Sequence, residues 1–308
     1  MARTYAGLPT EQPLPKSRAL DLLTVKQVLQ LMNREDAGIP RVVAKVIPKI
    51  EHAVQLIVPA MRAGGRLFFV GAGTSGRLGI IEAAECPPTF NTPPTMVQAL
   101  MAGGSHSVFR SQEGSEDRED EPRREVTARI HAGDVVIGIA ASGITPYVRA
   151  ALRTSKEREA ITILVTCHPQ TPKESWLDVL IAAPVGPEVI TGSTRLKAGT
   201  ATKLILNMMT VGTMVQLGKV YGHWMVDVRP TSKKLQLRAI RIIETLTGLS
   251  TEKSAELLKE TGGEVKTAIV MSLRRVDVMT ARRLLTQHDG HLRPILSPEE
   301  RYFHSPPP

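Results

Sequence analysis

Aromatic residues are scarce in this 308-residue chain: five Phe, four Tyr and two Trp make up only 4% of it. The core must be mostly aliphatic, and a stacking platform for nucleic acid has little to draw on. Cysteine is nearly absent. Cys86 and Cys167 are too few for a disulfide framework, which points to a reducing compartment. Long apolar runs are lacking as well. No stretch approaches the roughly 20 residues of a spanning helix, and the opening MARTYAGLPTEQPLPKSR has no apolar segment for a secretory signal. The expectation is a soluble, cytoplasmic protein without a membrane partner. The histidines at 52, 106, 131, 168, 223, 288, 291 and 304 show no ligand spacing, so histidine-based chemistry has little support and no metal is suggested; no cofactor is expected either.

Charge is not lacking: the net value is +9. The basic residues are interleaved with acids, however, and no basic helix carries base-reading side chains. Nucleic acid is therefore not an expected partner, whereas an anionic small substrate gains from such a field.

Hydrophobic residues make up 42% of the chain, enough for one large core or for a main domain with a small companion. Residues 1–20 read as an irregular, Pro-rich arm. Apolar spacing from Val25 to Met61 suits two helices broken at Gly38-Ile39-Pro40. Five short apolar runs follow, at Arg66–Ala72, Thr95–Met101, Asp134–Ala141, Ile161–Cys167 and Val179–Val185. Helical patterns lie between several of them: Ser75–Ala84, Pro146–Arg158 and part of Val108–Arg129. This alternation predicts a three-layer αβα sandwich around a five-stranded parallel sheet. A well-buried helix is predicted from about Arg195 to Val220. From Leu235 the pattern becomes short helices, at Leu237–Thr247, Thr251–Lys259, Val265–Leu273 and Val278–Gln287. The expected domains are thus the arm, an α/β domain over 21–234, a small helical bundle over 235–298 and a tail over 299–308.

One local pattern occurs twice. An apolar strand runs into small residues with Ser-Gly and then a helix, at Val70–Gly76 and again at Ile139–Gly143. In a parallel sheet both fall beyond the carboxyl ends of strands, where ligands bind. Free N–H groups of a first helical turn favour an anion, and Ser or Thr hydroxyls add donors. Thr74 and Ser75 serve the first turn. Ser142 and Thr145 serve the second, before Pro146. Plain helix capping accounts for either turn alone; two at one sheet edge favour a phosphate. No Gly-Lys-Ser/Thr follows the first turn. Its glycines also lack the acidic residue that ends the second strand of a dinucleotide site, so a monophosphate fits better.

Carboxylates stand nearby in sequence. Glu82 and Glu85 share a helix face. Pro87-Pro88 should end that helix, leaving Glu85 in its last turn, where the helix dipole disfavours negative charge and suits a general acid. A second acidic cluster, Glu113-Gly114-Ser115-Glu116-Asp117, follows the second strand; by residue type alone it reads as a solvated face.

The stretches GAGTSGRLGIIEAAECPPTF, EGSED, GIAASGITPYV and GPEVITGSTRLKAGTATKLILNMMT, continued by GKVYGHWMVDV and VKTAIVM, together resemble the N-acetylmuramic acid 6-phosphate etherases. The resemblance covers about residues 25 to 295. It implies a sugar-isomerase-type phosphosugar-binding fold and a lyase that releases D-lactate, leaving N-acetylglucosamine 6-phosphate. It also implies a catalytic pair, Glu85 as acid and Glu116 as its partner. Ser193, Thr194 and Lys197 are expected to complete the phosphate pocket formed by Thr74, Ser75, Ser142 and Thr145, although a capped structural helix explains them as well. A homodimer burying the long-helix region is implied too, with C-terminal helices like a ubiquitin-associated-type bundle. Ile144, where the family commonly has Arg, Cys167-His168-Pro169, and Pro230 to Leu235 depart from the family pattern. Thr10-Glu11 matches its N-terminal segment only faintly. Two alternatives stay open: a non-catalytic phosphosugar sensor of the same fold, and an aldose–ketose isomerase.

Overall fold

The structure is a computed structural model that describes residues 7–296. The tail over 299–308 and the first residues of the arm lie outside the described residues. The chain divides into two compact units. The first takes in residues up to Ala84 together with Thr95–Thr210; the second takes in Glu85–Pro94 and the chain from Val211.

The first unit holds five strands, β1 (Leu67–Gly71), β2 (Val97–Met101), β3 (Val135–Ile139), β4 (Ile161–Thr166) and β5 (Val179–Ala182). They pair in parallel in the order β2-β1-β3-β4-β5. Every residue of β1 and β3 is buried, as expected for strands covered on both faces. Helices follow in chain order: α1 (Val25–Asp36), α2 (Ile39–Ala44), α3 (Ile47–Arg62), α4 (Gly73–Phe90), α5 (His106–Phe109), α6 (Asp120–Arg129), α7 (Pro146–Glu157) and α8 (Lys197–Gln216), with α4 from Glu85 and α8 from Val211 counted in the second unit. On one face of the sheet Phe68, Val70, Val136 and Leu164 pack with Val126 of α6 and with Tyr147, Val148 and Leu152 of α7. On the other, α4 lies so near β1 that a Cβ on Gly79 would stand 2.7 Å from Phe69 Cβ. The three-layer sandwich is thus present.

The parallel sheet is pinned at its amino end. Asp134, only 2% exposed, accepts bonds from Arg66 N at 2.8 Å, Arg66 Nη2 at 2.6 Å and His131 N at 2.9 Å. Those bonds tie the entries of β1 and β3 together.

Several boundaries differ from expectation. Residues 25–62 form three helices, because the chain breaks again at Lys45-Val46. The described part of the arm is not wholly irregular: it makes 3₁₀ turns at Pro9–Glu11, Pro15–Ser17 and Leu20–Leu22. It buries Leu8, Thr10 and Leu14, the last against Leu31 and Val189. Most consequential, α4 does not stop before Pro87-Pro88 but continues to Phe90. Prolines at 87 and 88 cannot donate to the carbonyls of Ala83 and Ala84. Burial of Cys86 and Phe90 holds this last turn. Glu85 therefore sits inside the helix and not in its final turn.

The second unit has helices α9 (Lys233–Thr247), α10 (Thr251–Glu260), α11 (Val265–Arg274) and α12 (Val278–Gln287). Ser232, Ser250 and Asp277 cap three of them through their side chains. The core joins Ile242, Ile243, Ile269 and Leu285 to Tyr221, Val226 and Val228. Through those last three, chain upstream of the expected 234/235 boundary belongs to this core.

Candidate functional site

Sheet order reverses between β1 and β3, because β1 has β2 on one side and β3 on the other. In an open parallel sheet that point leaves a crevice beyond the carboxyl ends of the strands. A cleft of about 300 Å³ lies there. Its lining includes Thr74 and Ser75 after β1, Ser142 and Thr145 after β3, Thr194 before α8, and Glu116.

Glycine makes the first turn possible. A Cβ on Gly76 would fall 2.7 Å from the Gly71 oxygen and 2.8 Å from Met101 Cγ, so helix and strand can close only without it. Gly76→Ala should destabilise the protein by about 1–3 kcal/mol, the usual cost of overpacking, read as a lower thermal midpoint. An unchanged midpoint would mean that helix and strand do not close tightly on Gly76.

The hydroxyls are little used by the protein itself. α4 begins at Gly73, so Thr74 and Ser75 lie within its first turn and do not cap it from outside. Thr145 occupies the N-cap position of α7, yet its side chain accepts no capping bond. Ser142 Oγ accepts from Ile144 N at 3.3 Å and lies 3.5 Å from Thr145 Oγ1. An α-helical N-terminus with uncommitted hydroxyls suits an oxyanion. Ile144 itself does not line the cleft.

Glu116 is fixed by its main chain: its carbonyl accepts from Tyr147 N in the first turn of α7 at 2.9 Å. Arg77 supplies the cation that sequence reasoning overlooked. It donates from Nη2 to the Ser107 carbonyl at 2.7 Å and from Nε to the Val108 carbonyl at 2.8 Å, and it lines the cleft. Only its place in GTSGRLG could have signalled it. Leu8, Thr10 and Glu11 of the arm also line the cleft. The faint Thr10-Glu11 match was their only trace.

Three expected residues are placed otherwise. Glu85 is exposed on α4, belongs to the second unit and does not line the cleft. Ser193 does not line it either. Lys197 is buried, its ammonium 3.0 Å from Glu35 Oε2, while Lys16 holds the other Glu35 oxygen at 3.0 Å. Burial alone would raise the Glu35 pKa, but those two lysines together hold it below the usual carboxylate value. The start of α8 is already occupied. Glu188, fully buried, accepts from Lys197 N at 3.0 Å and Ala198 N at 2.9 Å. This internal carboxylate takes the donors a phosphate would need there. Desolvation raises its pKa despite those N–H groups and Lys197. Glu82, which shares a face with Glu85, is buried and bonded to Asn207 Nδ2 and Thr210 Oγ1.

Comparison with known proteins follows the same direction. The chain is 48% identical over 290 residues to an N-acetylmuramic acid 6-phosphate etherase from Geobacillus thermodenitrificans, covering 94% of this chain and 98% of that one. The chain belongs to the N-acetylmuramic acid 6-phosphate etherase family. A relative of the same name from Rhodopirellula baltica is 44% identical over 291 residues, covering 94% and 96% of the two chains. Residues 49–156 match the glucokinase regulatory protein N-terminal SIS domain, and residues 113–213 match the SIS domain. Among solved structures, a phosphoheptose isomerase from Neisseria gonorrhoeae aligns with 62% of this chain and 98% of its own, at 18% identity and a TM-score of 0.47. Membership in the etherase family makes the chain a carbon–oxygen lyase and does not favour the non-catalytic sensor. Among the described residues no helix is long and apolar enough to cross a membrane.

Proposed function

We propose that the protein cleaves the D-lactyl ether of N-acetylmuramic acid 6-phosphate, giving N-acetylglucosamine 6-phosphate and D-lactate, as a step in cell-wall amino-sugar recycling in the cytoplasm. The observation that carries the reading is the cleft at the sheet's switch point. It gathers hydroxyl-bearing turns and the carboxylates of Glu11, Glu113 and Glu116, in a chain of this family. Thr74, Ser75, Ser142, Thr145 and Thr194 hold the phosphate. Ser193 and Lys197 take part through the position of the α8 entry and do not touch the ligand.

The chemistry requires the ring-opened aldehyde, since only the C1 carbonyl makes the C2 proton acidic. Glu116 removes that proton. The C3–O bond breaks as a second carboxyl group, Glu85, protonates the departing lactate oxygen. Water then adds across C2=C3, placing hydroxyl on C3 and hydrogen on C2. One water is consumed, and the two products together balance the substrate. Glu85 stands about three helical turns beyond Thr74 on α4. The proposed homodimer is what brings a Glu85 to the cleft of a neighbouring subunit. Support for a dimer comes from α8, which exposes Met208, Val211 and Val215 at helical spacing.

Removing two phosphate hydroxyls together, Ser142→Ala with Thr145→Val, should raise KM for lactate release by roughly 100-fold or more, the scale of two bonds to a charged group. An unchanged KM would displace the phosphate from this turn. Product analysis separates the etherase from an aldose–ketose isomerase, because an isomerase frees no lactate.

A further inference from the structure

Ser107 is 3% exposed, lines the cleft, and its Oγ has no hydrogen-bond partner among the described residues. Everything else about it is committed. Its N–H donates to the Gly104 carbonyl at 3.1 Å, and its carbonyl accepts from Arg77. Its hydroxyl packs over Gly103, whose φ is +76°; a Cβ there would lie 2.3 Å from Ser107 Oγ. A buried hydroxyl left without a partner costs free energy that an alanine would avoid. Such a group in a binding cleft calls for a partner from outside the fold.

Its position suggests which part of a ligand supplies that partner. The turns proposed for phosphate follow β1 and β3. Ser107 follows β2, on the opposite side of β1 from β3, in the segment that leads to Glu116. We propose that Ser107 is a substrate contact whose hydroxyl hydrogen-bonds the sugar portion of the phosphosugar, its hydroxyl or amide groups, and not the phosphate. This rests on the phosphosugar reading of the cleft. A hydroxyl can donate or accept, so it serves either kind of group. Arg77 and Gly103 are positioning residues that hold it in place.

The test compares wild-type protein with Ser107→Ala, which removes only the hydroxyl, and with Ser107→Cys, which replaces it by a weakly hydrogen-bonding thiol. Affinity for N-acetylglucosamine 6-phosphate is measured by titration, KM by lactate release, and inhibition by inorganic phosphate alongside the thermal midpoint. The expected result is a rise of about 3- to 10-fold in both the product Kd and KM, on the scale of one neutral hydrogen bond. Inhibition by inorganic phosphate stays unchanged, and the midpoint of Ser107→Ala stays level or rises, because no internal bond is lost. An unchanged product Kd overturns the contact, as does an equal weakening of inorganic phosphate. Absence of lactate from the wild type would instead defeat the etherase reading, while the product titration still decides the role of Ser107.

Discussion

Replacing Glu116 with glutamine should cut lactate release by about 10²- to 10⁴-fold while the protein stays folded and still binds phosphosugar. Glutamine keeps the size of the side chain but cannot accept the C2 proton. The fold gives no reason to expect collapse. Glu116 is only half-buried, and the bond that holds it, from Tyr147 N at 2.9 Å, goes to its main-chain carbonyl, which the substitution keeps. The loss should appear in kcat with little change in KM, since the interaction removed belongs to the transition state. Glu85→Gln should also lower kcat, because lactate leaves poorly unless its ether oxygen is protonated. If the two act in one step, the double variant loses much less than the product of the single losses. Near-normal turnover of Glu116→Gln would remove it from the mechanism and leave the cleft a binding site only.

Asp134→Ala should lower the stability of the protein by about 3–5 kcal/mol, on the order of 10 °C in thermal midpoint. The carboxylate is buried and faces Arg66 at 2.6 Å, with main-chain N–H groups of Arg66 and His131 also bonded to it. Alanine would leave those two N–H groups without partners and the Arg66 guanidinium with only its bond to the Arg129 carbonyl. The effect carries a pH signature. Burial on its own would raise the Asp134 pKa; the Arg66 guanidinium and the two N–H groups outweigh burial and hold it below the usual value. A carboxylate with a depressed folded pKa stabilises the fold above its unfolded pKa of about 3.9 and loses that contribution as pH falls through the folded value. The gap between wild type and an Asp134→Asn variant should therefore be full at pH 7 and shrink as the pH is taken below about 4. A gap independent of pH would mean the ion pair contributes nothing specific.

The sheet was legible because each strand is a nearly uninterrupted apolar run, and strands buried on both faces leave that signature. The α12 helix keeps the bounds read from the sequence, Val278–Gln287, and in the structure Asp277 caps its start. The anion turns were legible too, since glycine beside Ser and Thr at a strand end is itself the chemical requirement. Less visible were features fixed by tertiary packing. Two prolines normally end a helix, but burial of Cys86 and Phe90 carries α4 past them, which moved Glu85 out of the last turn. The sequence offers Lys197 as a phosphate ligand, but Glu35, far away in sequence, pairs with its ammonium. Glu188 drew no notice, because a carboxylate that caps a helix from nine residues upstream leaves no local pattern. Ser107 and Arg77 were missed for a similar reason: their meaning lies in where β2 delivers the chain.

The most direct test of the central claim is to incubate the purified, folded protein with N-acetylmuramic acid 6-phosphate and assay both products. The account predicts D-lactate and N-acetylglucosamine 6-phosphate in equal amounts, at a rate that collapses in Glu116→Gln. Protein that binds the compound yet frees no lactate, or frees it equally well without the Glu116 carboxylate, would contradict it.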